Sequence, residues 1–155
     1  MHMHIETNQI LNMENLISFK KRLRASELQE HVERLLAYAE SYGAKKLGGG
    51  VSATYEVNGD VMDIEMYFPI DKAIPSNDVF VFKPLLRLEN CVKSNYKGHP
   101  QFVENTMKAL NDFIVTNQFV PISVGFTVTV KDIIDPKDIE LFEVDIYVSI
   151  SPNVI

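Results

Sequence analysis

The sequence predicts an α+β fold built as two β-α-β-β units with antiparallel strands. Three observations carry that expectation. The segment "DIEMYFPI" at 63–70 returns as "EVDIYVSI" at 143–150, and the same order of elements precedes each copy. Apolar residues recur with period two in the strands and at helical spacing in two intervening stretches. A turn-rich linker, "DKAIPSND", separates the halves. The expected layout is a single domain: an extension at 1–13, a first half at 14–70, a linker at 71–77, a second half at 78–151 and a tail at 152–155.

The elements follow in order. "NLISFKKRLR" alternates as a strand, with Leu16, Ser18, Lys20 and Arg22 on one face and Ile17, Phe19, Lys21 and Leu23 on the other. Ser26 with Gln29 forms a capping box for a helix whose buried stripe is Leu28, Val32, Leu35, Leu36 and Ala39, and Gly43 supplies the left-handed stop. Two strands then meet at the turn Asn58-Gly59. In the second half, Asp78 to Asn95 reads as a long strand or a bent pair broken near Pro84. Pro100 opens a helix with Val103, Met107, Leu110 and Ile114 inward, and Asn117 stands where Gly43 stood. "PISVGFTVTV", a polar loop from Lys131 to Leu141 and "FEVDIYVSI" complete the unit.

Composition narrows the function classes. The 155 residues are 46% apolar, enough for a core without staples. One cysteine, Cys91, leaves no internal disulfide, and a reducing compartment, the cytoplasm, is the expected setting. With 15 basic and 21 acidic residues the net charge is −6, which argues against nucleic acid as a partner. No stretch reaches the roughly 18 apolar residues of a membrane span, and the N-terminus lacks the pattern of a signal peptide. His2 and His4 read as a frayed terminus rather than a metal site, and no metal or organic cofactor is implied.

The repeated closing strand holds the chemistry. Alternation places Ile64, Met66, Phe68 and Ile70 on a helix-covered face and Asp63, Glu65, Tyr67 and Pro69 opposite; Val144, Ile146, Val148 and Ile150 oppose Glu143, Asp145, Tyr147 and Ser149 in the same way. Two readings of the acidic face stand side by side: an ordinary solvated sheet face, or a ligand surface where a carboxylate and a ring attract a cationic or hydrogen-bond-donating molecule. Tyr55 and Phe126, on neighbouring strands, either line such a surface or pack. His99 reads as a helix cap, the glycines 48–50 as a turn or bulge before a strand, and Cys91 as core. Phe119, Val120 and Ile122 are the candidate exposed apolar patch for a protein partner.

The run "YKGHPQFVENTMKALNDFIVTNQFVPISVGFTVTV", an acidic loop with Asp135-Pro136, and "FEVDIYVSI" resemble the gyrase-inhibitor-like (GyrI-like) domain, also found as the effector-binding domain of AraC-type and MerR-type multidrug regulators. That resemblance implies pseudo-two-fold symmetry, helices on one face of the sheets and a groove for flat, apolar, often cationic molecules, lined by Glu65, Tyr67, Asp145 and Tyr147. It implies a stand-alone, non-enzymatic sensor or sequestering domain for a lipophilic or cationic small molecule. A module that inhibits or escorts a protein partner is the alternative, and a hydrolase of small electrophiles is third. The chain departs from the pattern in having no tryptophan, and in Asp145 and Ser149 where the family has glutamate and proline.

Overall fold

The computed structural model describes the backbone of residues 2–152 and the side chains of 4–152, so the His2 side chain and residues 153–155 of the expected tail lie outside the described residues. Among the described residues six strands and two α-helices occur in the order β1 (His2–Arg24), α1 (Leu28–Ser41), β2 (Val51–Asn58), β3 (Val61–Pro69), β4 (Val81–Lys97), α2 (Val103–Thr116), β5 (Phe126–Lys131) and β6 (Glu143–Ser149). The class is α+β, and the paired strands are antiparallel.

The chain divides into two compact units: a first of residues 12–86, and a second of residues 1–11 with 87–155. The division differs from the expected linker at 71–77. Residues after that linker stay with the first unit because Phe80 and Phe82 pack on its core and the Ser18 hydroxyl donates to the Val81 carbonyl at 2.9 Å. The expected extension also differs: it is strand from His2 onward, with Ile5 packed on the core of the second unit. His4 lies on that strand, exposed, 3.6 Å from Glu6.

In the first unit β3 is the central strand, paired with β1 on one side and β2 on the other. The apolar face of Ile17, Phe19 and Leu23 on β1 and Ile64 and Phe68 on β3, with Ile70 just beyond it, is covered by Leu35 and Ala39 of α1, with Leu28, Val32 and Leu36 at its margin. Each such large side chain fully buried contributes about 1.5–3 kcal/mol. In the second unit β6 is central between β4 and β5, and Val92, Ile146, Val148 and Ile150 pack under Leu110 and Ile114 of α2.

Local signals place these elements, with four corrections to the expectations. The chain enters α1 through a 3-10 turn at Ala25–Glu27, where Glu27 accepts from the Arg24 backbone N–H at 2.9 Å, so the cap is Arg24 with Glu27 and not Ser26 with Gln29. The hairpin turn is Gly59-Asp60, since Asn58 still pairs with Val61 and Gly59 takes the positive φ of +65°. β4 runs through Pro84, and its irregular residue is Asn90, at φ +52°. Gly43 takes φ +75° after α1 as expected, but after α2 it is Gln118, at φ +58°, that fills the left-handed position, with Asn117 as the cap before it. The two helix exits then close alike: Ala44 N–H donates to Ala39 and Phe119 N–H to Ile114, each at 3.0 Å.

Within the rest of the fold, Gly50 is required by close approach, because a Cβ there would stand 2.8 Å from the Phe68 ring. His99 caps the second helical segment as expected, its ring accepting from the Gln101 N–H at 3.1 Å. Cys91 is buried. His31 is a buried polar group that periodicity did not flag: its Nδ1 lies 3.0 Å from the Glu27 carbonyl and its Nε2 has no hydrogen-bond partner.

Replacing Gln118 by glycine removes a left-handed strain of about 1 kcal/mol and should raise the Tm by about 2–4 °C. Calorimetry of the purified variant checks it; an unchanged or lower Tm contradicts this account of the turn.

Candidate functional site

The face of each sheet turned away from its helix carries the predicted acids and tyrosines, and it is not a solvated face. Glu65 is 6% exposed, Tyr67 3% and Tyr147 9%. The solvated reading therefore fails for these residues, and a buried carboxylate needs partners.

In the first unit the partners are concrete. Tyr55 donates its hydroxyl to Glu65 Oε1 at 2.8 Å, and the Lys83 ammonium donates to Oε2 at 3.0 Å. Tyr67 lies next but one along β3, on the same face of the strand as Glu65. The reach of Tyr55 comes from a β-bulge: β2 pairs with β3 through Thr54↔Ile64 and Glu56↔Asp63, leaving Tyr55 as the extra residue. The Lys83 Nζ lies 5.5 Å from the centre of the Tyr67 ring, and the Lys20 Nζ lies 4.5 Å over the Tyr55 ring. Asp63 is held by Arg22 at 3.3 Å.

The second unit builds a related cluster. Asp145 accepts from Asn95 Nδ2 at 2.8 Å, the same amide reaches Glu143 at 2.9 Å, and the Lys93 Nζ stands 3.6 Å from Asp145 Oδ2 and 5.5 Å from the Tyr147 ring centre. Strand register explains the meeting: Lys93 lies opposite Tyr147, and Asn95 opposite Asp145. Phe126, across β6 from Tyr147, is buried and packs as a wall. The β5–β6 ladder also has an extra residue, Val130, between Thr129 and Lys131. Val130 has no hydroxyl to offer the acid, and Asn95 takes that part.

The electrostatics follow from these contacts. Burial pushes the Glu65 carboxyl upward, but hydrogen bonds from Tyr67, Lys83 and Tyr55 with the charge of Lys83 outweigh it and hold the pKa below the ordinary carboxylate value. Glu65 is therefore a held anion rather than a poised base, which weighs against its activating water as the hydrolase reading needs. Burial and the neighbouring carboxylate raise the phenols: Tyr55 to about 12, and Tyr67 further. Tyr147 is raised by burial against the lowering effect of Lys93. Lys93 is raised, the pull of Asp145 and Tyr147 exceeding the cost of its burial.

Of the six predicted residues, the structure brings Glu65, Tyr67 and Tyr55 together in one unit, and Asp145, Tyr147 and Phe126 in the other. Sequence reasoning missed Lys83, Lys93 and Asn95. Alternation along "CVKSNY" carried the signal for the last two, since it puts Lys93 and Asn95 on one face. Two cavities lie elsewhere in the second unit: one of about 490 Å³, lined by residues including Arg87, Asn90, Ile122 and Ile150, and one of about 270 Å³ beside Asn8 and Phe119. Neither is lined by Asp145 or Tyr147. In the predicted apolar patch, Phe119 is packed against Phe113, while Val120 and Ile122 are exposed.

No family model and no curated protein matches the chain. Its fold is shared with solved structures. The EcmrR C-terminal domain superposes with a TM-score of 0.71 at 13% identity, covering 97% of this chain and 99% of that one. A hydrolase from Listeria innocua gives 0.57 at 13% identity over 96% and 91%, and SAV2435 bound to tetraphenylphosphonium gives 0.52 at 12% over 98% and 95%. This chain spans 57% of the EcmrR chain seen in its DNA complex. No helix among the described residues is long and apolar enough to cross a membrane.

The phenol shifts yield a pH prediction. A tyrosine whose pKa is raised on folding stabilises the native state fully below the unfolded value of about 10 and loses that contribution as pH climbs through the folded value. Stability should therefore decline above about pH 10, with Tyr67 and Tyr55 ionising late in an ultraviolet titration. Glu65→Gln should bring both back toward the free phenol. Tyr55→Phe should cost about 1.5–3 kcal/mol in urea unfolding, the worth of a hydrogen bond to a charged group. Ordinary tyrosine titration in the native protein contradicts the cluster.

Proposed function

We propose that the chain is a small-molecule-binding domain of the GyrI-like, effector-binding type, acting as a sensor or sequestering protein for flat, apolar, cationic molecules. The observation that carries this reading is the pairing, in each unit, of a carboxylate, buried at Glu65 and half-buried at Asp145, with a tyrosine ring and a bound ammonium group: Glu65 with Tyr67, and Asp145 with Tyr147. A carboxylate for charge and a ring face for the surrounding carbon are the elements that recognise an organic cation. Tetraphenylphosphonium, named with SAV2435, is a ligand of that chemistry on the same fold.

We also read the two halves as copies of one β-α-β-β unit. Beyond the order of elements, equivalent backbone bonds support it: Ile70 N–H donates to Asn15 at 2.9 Å and Ile150 N–H to Asn90 at 3.1 Å, and both asparagines have positive φ. Leu47 N–H to Pro69 and Ile122 N–H to Ser149, each at 2.8 Å, continue the correspondence. Duplication supplies a cluster in each unit.

The test is a thermal-shift series with tetraphenylphosphonium, other lipophilic cations and neutral aromatics on the native protein, Glu65→Gln and Asp145→Asn. Binding to the native state alone stabilises by about 2.7 kcal/mol at a hundredfold excess over Kd. The expected result is a rise in Tm with cations that shrinks in one or both variants. A cooperatively melting native protein whose Tm no compound moves, or a shift kept in full by both variants, overturns the reading.

A further inference from the structure

We propose that Lys83 and Lys93 are tethered stand-ins for a ligand cation, so that each acid–tyrosine pair admits an organic cation only by displacing an ammonium group of the chain itself. This rests on the small-molecule reading above and names what sets its specificity.

Each lysine head meets both contacts that define a cation seat. Lys83 Nζ is 3.0 Å from Glu65 and Lys93 Nζ 3.6 Å from Asp145, and each is 5.5 Å from the tyrosine ring centre of its own unit. The two lysines reach this arrangement by different routes. Lys93 is the register partner of Tyr147 on β4, whereas the register partner of Tyr67 on β1 is Ser18. Ser18 instead binds the carbonyl of Val81, two residues before Lys83, and so holds in place the segment that delivers the ammonium. The same charge and ring geometry thus arises at positions that a copied unit does not make equivalent.

The acid is fixed and the cation is movable. The side chains of Glu65 and Asp145 are 8% and 16% exposed, those of Lys83 and Lys93 37% and 24%. A lysine head on its four-carbon stem can swing to water with little loss of its own hydration. The carboxylate left behind cannot, and leaving a buried charge unpaired is strongly unfavourable. A neutral ligand that expelled Lys83 would leave Glu65 with the Tyr55 hydroxyl but no counter-charge, while a cationic one restores the pairing. Displacement is therefore selective for cations, and the incoming ion competes with a group whose effective concentration is on the order of millimolar or more. Weak cations are shut out, and only those with enough apolar surface to exceed the tethered group enter.

Titration calorimetry with tetraphenylphosphonium on the native protein, Lys83→Met, Lys93→Met and the double variant tests this. The expected result is a Kd lower by about tenfold or more in the single variant whose pair takes the ligand, and in the double. Equal or weaker binding in all three variants, with binding by the native protein, overturns the proposal. If none of the four proteins binds, the small-molecule reading fails, and the cation seat is judged alone from Lys83→Ala. That substitution removes the length of an n-propylammonium ion. A Tm raised by n-propylammonium chloride beyond the same concentration of sodium chloride sustains the seat; equal shifts overturn it.

Discussion

A carboxylate buried in a sheet is the constraint on which the rest of this structure turns. Glu65 has its charge sealed from water, and every nearby irregularity serves to satisfy it. The bulge in β2 exists at the position that lets Tyr55 reach Oε1. The segment after the linker remains with the first unit and presents Lys83 to Oε2, tied down by Ser18. In the second unit the acid is one methylene shorter, its charge partner stands further off, and a side-chain amide replaces the phenol. A less deeply buried carboxylate needs less, which is the expected direction of the trade between burial and pairing.

This explains why the face away from the helix is polar yet buries Glu65, Tyr67 and Tyr147. On an ordinary antiparallel sheet, alternation divides core from solvent. Here one face is covered by α1 or α2 with aliphatic contacts, and on the other Glu65, Tyr67 and Tyr147 are buried while Asp63, Asp145 and Tyr55 keep some exposure. The apolar face determines that the unit folds. The other face provides a rigid, charged and ring-lined surface whose geometry is over-determined by several strong hydrogen bonds, the condition under which a recognition site stays formed without its ligand.

Much of this was legible in the sequence. The order of elements, the inward stripes of Leu35 and Ala39 and of Leu110 and Ile114, the cap at His99 and the pairing of acid with tyrosine followed from periodicity and repetition. What was not legible has physical causes. The bulge at Tyr55 breaks the period of two, so alternation alone left its role open between lining and packing. Lys83 gave no signal as a partner of the acid, because Glu65 lies 18 residues back in the chain and only tertiary structure unites them. The left-handed exit at Gln118 was assigned one residue early, to Asn117, because asparagine has the stronger propensity for that conformation and the geometry overrode it. The start of β1 was missed although "MHMHIE" alternates, because the polar run Thr7–Gln9 interrupts the period before Ile10 and the segment read as a frayed terminus.

That early segment has a consequence for how the chain is made. Residues 1–11 leave the ribosome ahead of the 12–86 stretch, yet they belong to the unit whose remaining residues are 87–155. The 12–86 stretch is contiguous and has its core complete within itself, so it can close as soon as it has emerged. The segment ahead of it must wait without its partners until β4 and β6 exist, across a closure of more than seventy residues, and such long-range pairing is slow. The run Glu6, Thr7, Asn8 and Gln9 keeps the middle of that segment polar during the interval, and the segment gains its structure only when the later part of its unit arrives to receive it.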